Sequence, residues 1–129
     1  SKLVDSMIHD GLWDVYNDIH MGNTGETIAE ESDISRGESD EFAVRSHQRA
    51  AEAWNQGWFD WETFAVKVPQ RSDDNILFTR DEGIKSDSNV ETLAGLRPVF
   101  NSSGQVTAGN SSTLNDGASA VLFADEFFE

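Results

Sequence analysis

The sequence predicts a mixed α/β or α+β architecture rather than a helical bundle, and three observations carry that expectation. A long helical pattern with start and stop signals occupies residues 36–56. Short alternating segments at 64–68 and around Ile76 and Phe78 read as strands. A small-residue apolar run, Ala118–Ala124, suits a buried strand or a helix end leading into one. At 129 residues and 37% hydrophobic content the chain is the size of a single domain, and its eight Phe and four Trp offer large side chains to bury.

The elements follow in order. Leu3, Val4, Met7 and Ile8, then Leu12, Trp13, Val15 and Tyr16, predict a short helix, a turn at Asp10-Gly11, and a loop or short strand. Asn23 with Glu26 three residues later signals a helix near 24–32. Ser35 and Glu38 form a capping-box pattern before the helix at 36–56. Its predicted apolar face carries Phe42, Ala43, Ser46, Ala50, Ala53 and Trp54, and Gly57 supplies the stop. The aromatic tract 54–64 reads as a hydrophobic anchor for a long loop, with an exposed ligand-stacking or partner surface as the alternative. Pro69 ends the strand at 64–68 or confines it to an edge. Ser88 with Glu91 predicts another capped helix carrying Val90, Leu93, Ala94 and Leu96, closed before Pro98.

Composition narrows the function classes. Twenty-four acids face nine bases, a formal charge of −15. Such a surface repels nucleic acid and anionic membranes, so neither is an expected partner. Solubility is one reason for this balance, and adaptation to high salt is the sharper one. Surface redesign toward acidity would leave the same pattern. No cysteine is present, which removes disulfides, thiolate metal sites and a cysteine nucleophile from this chain. His9, His20 and His47 are dispersed and argue against structural zinc. No apolar stretch approaches a membrane span, and no cationic, apolar start reads as a signal peptide. A cytoplasmic setting is the expectation.

The richest segment is Val106–Ser119, VTAGNSSTLNDGAS, which carries no charge until Asp116. Gly109 and Gly117 permit close approach of another group. Asn110, Ser111, Ser112, Thr113 and Asn115 in near succession suit a surface that hydrogen-bonds a long uncharged polar ligand. His20-Met21-Gly22 offers a proton-switchable ring beside an adaptable apolar contact, although on local evidence alone loop packing is the default. Within Arg80-Asp81-Glu82-Gly83-Ile84-Lys85, a salt-bridge network is the default, with Arg80 and Lys85 as candidate phosphate contacts. No nucleophile elbow, dinucleotide fingerprint or P-loop is present.

HMGNTGETIAEE, DEFAVRSHQRAAEA, DEGIKSDSNVETLAGLRPVF and VTAGNSSTLNDGASAVL occur in that order, with spacings that resemble a thiolase. Thiolases are acyltransferases that join or cleave β-ketoacyl-CoA. The resemblance covers nearly the whole chain and implies an incomplete thiolase fold. It implies that residues 1–19 end a portion of the N-terminal catalytic domain. It makes 20–105 the loop domain over bound CoA, and 106–129 the return into a core strand. CoA or acyl-CoA is then a substrate, with no covalently bound cofactor and no metal.

Residue by residue, the resemblance implies the following contacts. His20 and Met21 line the pantetheine and acyl end, with Leu12 an apolar contact just upstream. Ser112 bonds the pantetheine arm, and Ala108, Gly109 and Leu114 lie along it. Lys85 stands where some thiolases place an arginine near CoA phosphate. Thr92, Leu93, Val99 and Phe100 wall the adenine and pantetheine. Ser111 stands where the family often has Ala, and Gly25 where it has a small apolar residue. Arg71-Ser72-Asp73-Asp74 stands where relatives carry several bases. The family's acylated cysteine lies upstream of the matching segment, and its second cysteine and His- and Asn-bearing motifs lie downstream. The expected role is therefore the substrate-holding part of a thiolase, inactive alone. It would partner the remainder of the enzyme or copies of itself. The competing expectation is an acidic, salt-adapted, non-catalytic module, natural or engineered, with a structural or subunit-contact role.

Overall fold

The computed structural model describes residues 3–71 and 75–124. A short π-helical turn, Met7–Gly11, leads into a two-residue strand β1, Trp13–Asp14, which pairs antiparallel with β2, Ile19–His20. Helix α1 follows at Met21–Glu31 and α2 at Arg36–Asn55. Strands β3, Val66–Val68, and β4, Ile76–Phe78, form an antiparallel hairpin with Lys67 opposite Leu77. Helix α3 spans Val90–Ala94. The mixed α/β expectation holds.

The caps explain the helix limits. Ser35 accepts from the Glu38 N–H, and the Glu38 carboxylate accepts from the Ser35 N–H at 2.8 Å, so the capping box forms as read. Gly57, at φ 71°, closes α2. Its N–H reaches Trp54 O, and the Trp58 N–H reaches Ala53 O at 3.0 Å. This left-handed turn satisfies the last carbonyls of the helix. Asp33, at φ 52°, ends α1 by the same pair of bonds, with the Ile34 N–H on Ala29 O.

Two predicted caps moved. Helix α1 is capped by His20, whose Nδ1 accepts from the Gly22 N–H at 3.0 Å, so it starts before Asn23. Helix α3 is capped by Asn89 rather than Ser88. Asn89 Oδ1 accepts from the Thr92 N–H at 2.9 Å and the Thr92 hydroxyl at 2.8 Å. In each case a side-chain acceptor nearer the first helical turn takes the free N–H groups.

The core is small. Ala29, Val44, Ala51, Ala53 and Leu93 are its buried apolar residues, joined by Asp40 and Thr107. Helix α2 turns Asp40, Val44 and Ala51 inward, so the face predicted from Phe42, Ala43 and Ser46 is rotated toward a groove. The Asp40 carboxylate finds charged and polar partners inside, which an apolar-only reading of periodicity misses. The aromatic tract anchors only in part. Trp54 and Phe59 are half-buried with ring centroids 5.4 Å apart, whereas Trp58, Trp61 and Phe64 are exposed. Residues 118–124 carry no regular secondary structure and are exposed and unpaired among the described residues, so the expected buried strand is not formed. A strand needs a neighbour for its N–H and C=O groups.

Candidate functional site

The site is built on a polar lock. Asp40 on α2 is 1% exposed. Arg36, one turn earlier, donates from Nε to Asp40 Oδ2 at 2.7 Å and from Nη2 to Leu93 O at 2.6 Å. A second bond from the same nitrogen meets Leu96 O at 3.2 Å. One guanidinium thus ties α2 to the end of α3. From the other side, Asn110 Nδ2 donates to Asp40 Oδ1 at 3.0 Å and to Gln105 O at 2.8 Å. Its Oδ1 accepts from the N–H of Thr107, which is fully buried. Segment 105–111 is therefore fastened to α2 through one buried carboxylate.

Glu26 on α1 holds the same segment farther back. Its two carboxylate oxygens accept from the Gln105 and Val106 N–H groups at 2.7 and 3.0 Å. A Cβ on Gly104 would collide with this carboxylate. Gly109 meets α3 closely: a Cβ there would stand 2.6 Å from Leu96 Cδ1 and 2.9 Å from Leu93 Cγ. Close approach is what Gly109 supplies. Gly117 faces open space, and the expectation of a close neighbour there fails among the described residues.

Beside this lock lies an open groove of about 900 Å³. Phe42, Ala43, Ser46 and His47 of α2 form one wall. The loop from Asp81 to Asn89 and helix α3 form another, and segment 108–115 completes it. The structure gathers Lys85, Thr92, Leu93, Ala108, Gly109 and Ser112 along this groove. Ser111 and Ser112 divide their work: the Ser111 hydroxyl bonds Thr107 O at 2.7 Å, while Ser112 is exposed at the groove. The hydroxyl at 111 thus serves the loop's own fold. Asn110 likewise spends its polarity internally, which corrects the reading of the whole run as a ligand surface.

Among the other predicted residues, all outside the groove lining, Leu12, His20, Met21 and Phe100 form a separate cluster. Met21 N–H donates to Leu12 O at 2.8 Å. The His20 ring lies against Phe100, centroids 4.7 Å apart. Gly22 makes room for that ring, since any Cβ would overlap it. With Nδ1 accepting from Gly22, the imidazole proton sits on Nε2. Met21, Val99 and Leu114 are exposed. The Val99 N–H bonds Val106 O at 3.0 Å, which joins this cluster to the polar segment.

The expected salt-bridge network at 80–85 is replaced by other contacts among the described residues. Arg80 lies over Trp54 and donates to Asn55 Oδ1 at 3.2 Å, and Asp81 accepts from the Gly83 N–H. Ser72, Asp73 and Asp74, expected to weaken phosphate binding, lie outside the described residues, while Arg71 is exposed. No group of residues suited to a metal ion occurs among the described residues. No described helix is long and apolar enough to cross a membrane.

The sequence reading missed Arg36, Asp40, Glu26 and His47. Arg36 and Asp40 did carry a signal, a charge pair at helical i, i+4 spacing. Nothing local announced Glu26, whose partners lie about eighty residues away.

Fold and site define a mixed α/β segment whose groove is walled by two helices and a polar, glycine-bearing loop. Residues 1–127 match the family model for the thiolase N-terminal domain. The chain belongs to the thiolase family. It is 50% identical over 125 residues to proteins named "Probable acetyl-CoA acyltransferase" from Staphylococcus aureus strains COL and MSSA476, covering 97% of this chain and 32% of theirs. It thus spans about a third of those relatives' length. Among solved structures, it is similar to the acetyl-CoA acetyltransferase of Bacillus anthracis, with TM-score 0.82 and 39% identity. The acetyl-CoA acetyltransferase of Syntrophomonas wolfei gives TM-score 0.83 and 39% identity. Each match covers 90% of this chain and 29% of the other.

Proposed function

We propose that this chain is the substrate-holding segment of a thiolase and that its groove receives the pantetheine arm and phosphates of CoA or an acyl-CoA. The observation that carries the reading is convergence. Lys85, Thr92, Leu93, Ala108, Gly109 and Ser112 come from three stretches of chain and line one groove. The chemistry fits the ligand. A pantetheine arm is long, with two amides and several methylenes. Ser112 and the groove's backbone groups offer uncharged hydrogen bonds, while Leu93, Leu96 and Phe42 offer apolar wall at roughly 25 cal/mol per Å² covered. Lys85 provides a point charge for phosphate.

His20 and Met21, with Leu12 beside them, belong in this reading to the pantetheine and acyl end, Phe100 to the adenine and pantetheine wall, and Leu114 to the pantetheine arm. Residues 1–19 and 106–129 then belong to the catalytic domain, with 20–105 the covering loop domain. The chain lacks cysteine, so the ping-pong acyl transfer of a whole thiolase needs a nucleophile from elsewhere. The chain alone is expected to bind but not to turn over. An acidic surface of −15 fits a salt-rich cytoplasm. Calorimetric titration with CoA at low and high salt tests the reading. Heat at high salt, weakened by Ser112→Ala, supports it, and no heat at either salt overturns it.

A further inference from the structure

We infer that His47 is a positioning residue that sets Lys85 in the groove wall, where it meets the anionic part of the ligand. The inference rests on the proposed ligand being a phosphate-bearing pantetheine compound. Its carrier is a tether across 38 positions of sequence: the Lys85 N–H donates to His47 Nδ1 at 3.2 Å. His47 is half-buried on α2, at helical spacing from Asp40, Val44 and Ala51, and its side chain lines the groove. Since Nδ1 accepts, the neutral ring carries its proton on Nε2.

A second tether gives the first its leverage. Arg80 reaches Asn55 on the same helix and lies over Trp54. His47 and Asn55 stand about 12 Å apart along α2 at its usual rise. The run from 80 to 85 reaches about 17 Å when fully extended. Held at both ends, it runs opposite in direction to α2, with Lys85 at the His47 end.

That placement matters because of charge. The groove lining holds Asp81 and Asp87 beside Lys85, two carboxylates to one ammonium. A lysine free to swing would be neutralised by either. Fixing its backbone at His47 limits which of these anions the ammonium can serve. His47 thus acts on the ligand through Lys85, without itself being assigned a ligand contact.

Titration of this chain with CoA and with pantetheine, which lacks the phosphates, tests the inference in wild type, His47→Ala, His47→Gln and Lys85→Ala. The expected result is a roughly tenfold weaker CoA affinity for His47→Ala, equivalent to about 1.4 kcal/mol. Pantetheine affinity stays unchanged. His47→Gln retains CoA affinity, because its amide oxygen can accept from the Lys85 N–H. Adding Lys85→Ala to His47→Ala costs little more. Equal loss for both ligands, or no loss for CoA, overturns the inference. Amide hydrogen exchange without ligand reads the tether separately: the Lys85 N–H should exchange faster in His47→Ala but not in His47→Gln. Unchanged exchange in both also overturns it. Wild type that binds neither ligand overturns the groove reading and this inference together. The exchange measurement then separates a failed ligand from a failed tether.

Discussion

At the residue scale, Asp40 and Gly109 matter most, and each does what its neighbours in sequence cannot. Asp40 is a buried carboxylate satisfied by Arg36 on one oxygen and Asn110 on the other. Removing one partner of a buried ion pair strands the other's charge and its bonding capacity. Asp40→Ala should lower stability by about 3–5 kcal/mol in urea unfolding, well beyond a surface change. The bond from Asn110 to Asp40 goes with it, so segment 105–111 should also lose amide-exchange protection. Gly109→Ala tests packing instead of charge. Its Cβ would press on Leu96 Cδ1 and Leu93 Cγ, and Leu93 is buried. We expect a cost of about 1–3 kcal/mol by thermal or urea unfolding, as for other overpacked sites. A paired Leu96→Ala should recover part of that cost by opening the space the methyl needs. An additive double variant would show that the clash is not the cause.

At the scale of elements, the capping box of α2 makes a pH prediction with a definite sign. The Ser35 backbone N–H and then its hydroxyl bond Glu38, holding that carboxyl below its ordinary value. Protonation is therefore harder in the folded state than in the unfolded one. The stabilisation is complete above the unfolded value and is lost as pH falls through the folded one. Glu38→Gln should be less stable than wild type near neutrality, and the gap should shrink toward about pH 3. Urea midpoints of the two proteins across that range measure it, and a constant gap would deny the linkage. This cap and the Gly57 stop were legible because both ends of each bond lie within a few residues. The caps of α1 and α3 were misplaced by competition among adjacent polar residues, Asn89 taking the role expected of Ser88. Strands Val66–Val68 and Ile76–Phe78 were legible from alternation, yet both are exposed, because alternation gives a pleat but not what covers it. The groove residues were located through the family's motif order, which local chemistry alone does not supply. Glu26 and His47 escaped notice because their partners are distant in sequence, where spacing carries no information, whereas the spacing of Arg36 and Asp40 did carry a signal.

At the scale of the whole molecule, a small core faces a large charge. Among the described residues, five buried apolar side chains anchor a chain of −15. The ion pair joining an arginine to a carboxylate among the described residues is Arg36–Asp40. The alternating sign that would hold many carboxylates in check is absent: nine bases cannot offset twenty-four acids. Folding draws those carboxylates together, so their mutual repulsion is greater in the compact state. Salt shortens the reach of that repulsion from about 30 Å at roughly 0.01 M to about 3 Å at roughly 1 M. The Arg36–Asp40 pair lies inside and is screened far less than the surface. The two effects therefore do not cancel, and the surface term wins. The unfolding midpoint should rise with sodium chloride across that range, most steeply at the low end where the screening length changes fastest. Sodium sulfate at matched ionic strength separates screening from burial. Sulfate also strengthens burial of apolar surface by exclusion, so its midpoint should lie above the chloride curve. Replacing several exposed acids by their amides should flatten the chloride dependence while leaving the sulfate increment in place. A chloride curve that is already flat in the unaltered chain would show that its charge does not oppose folding.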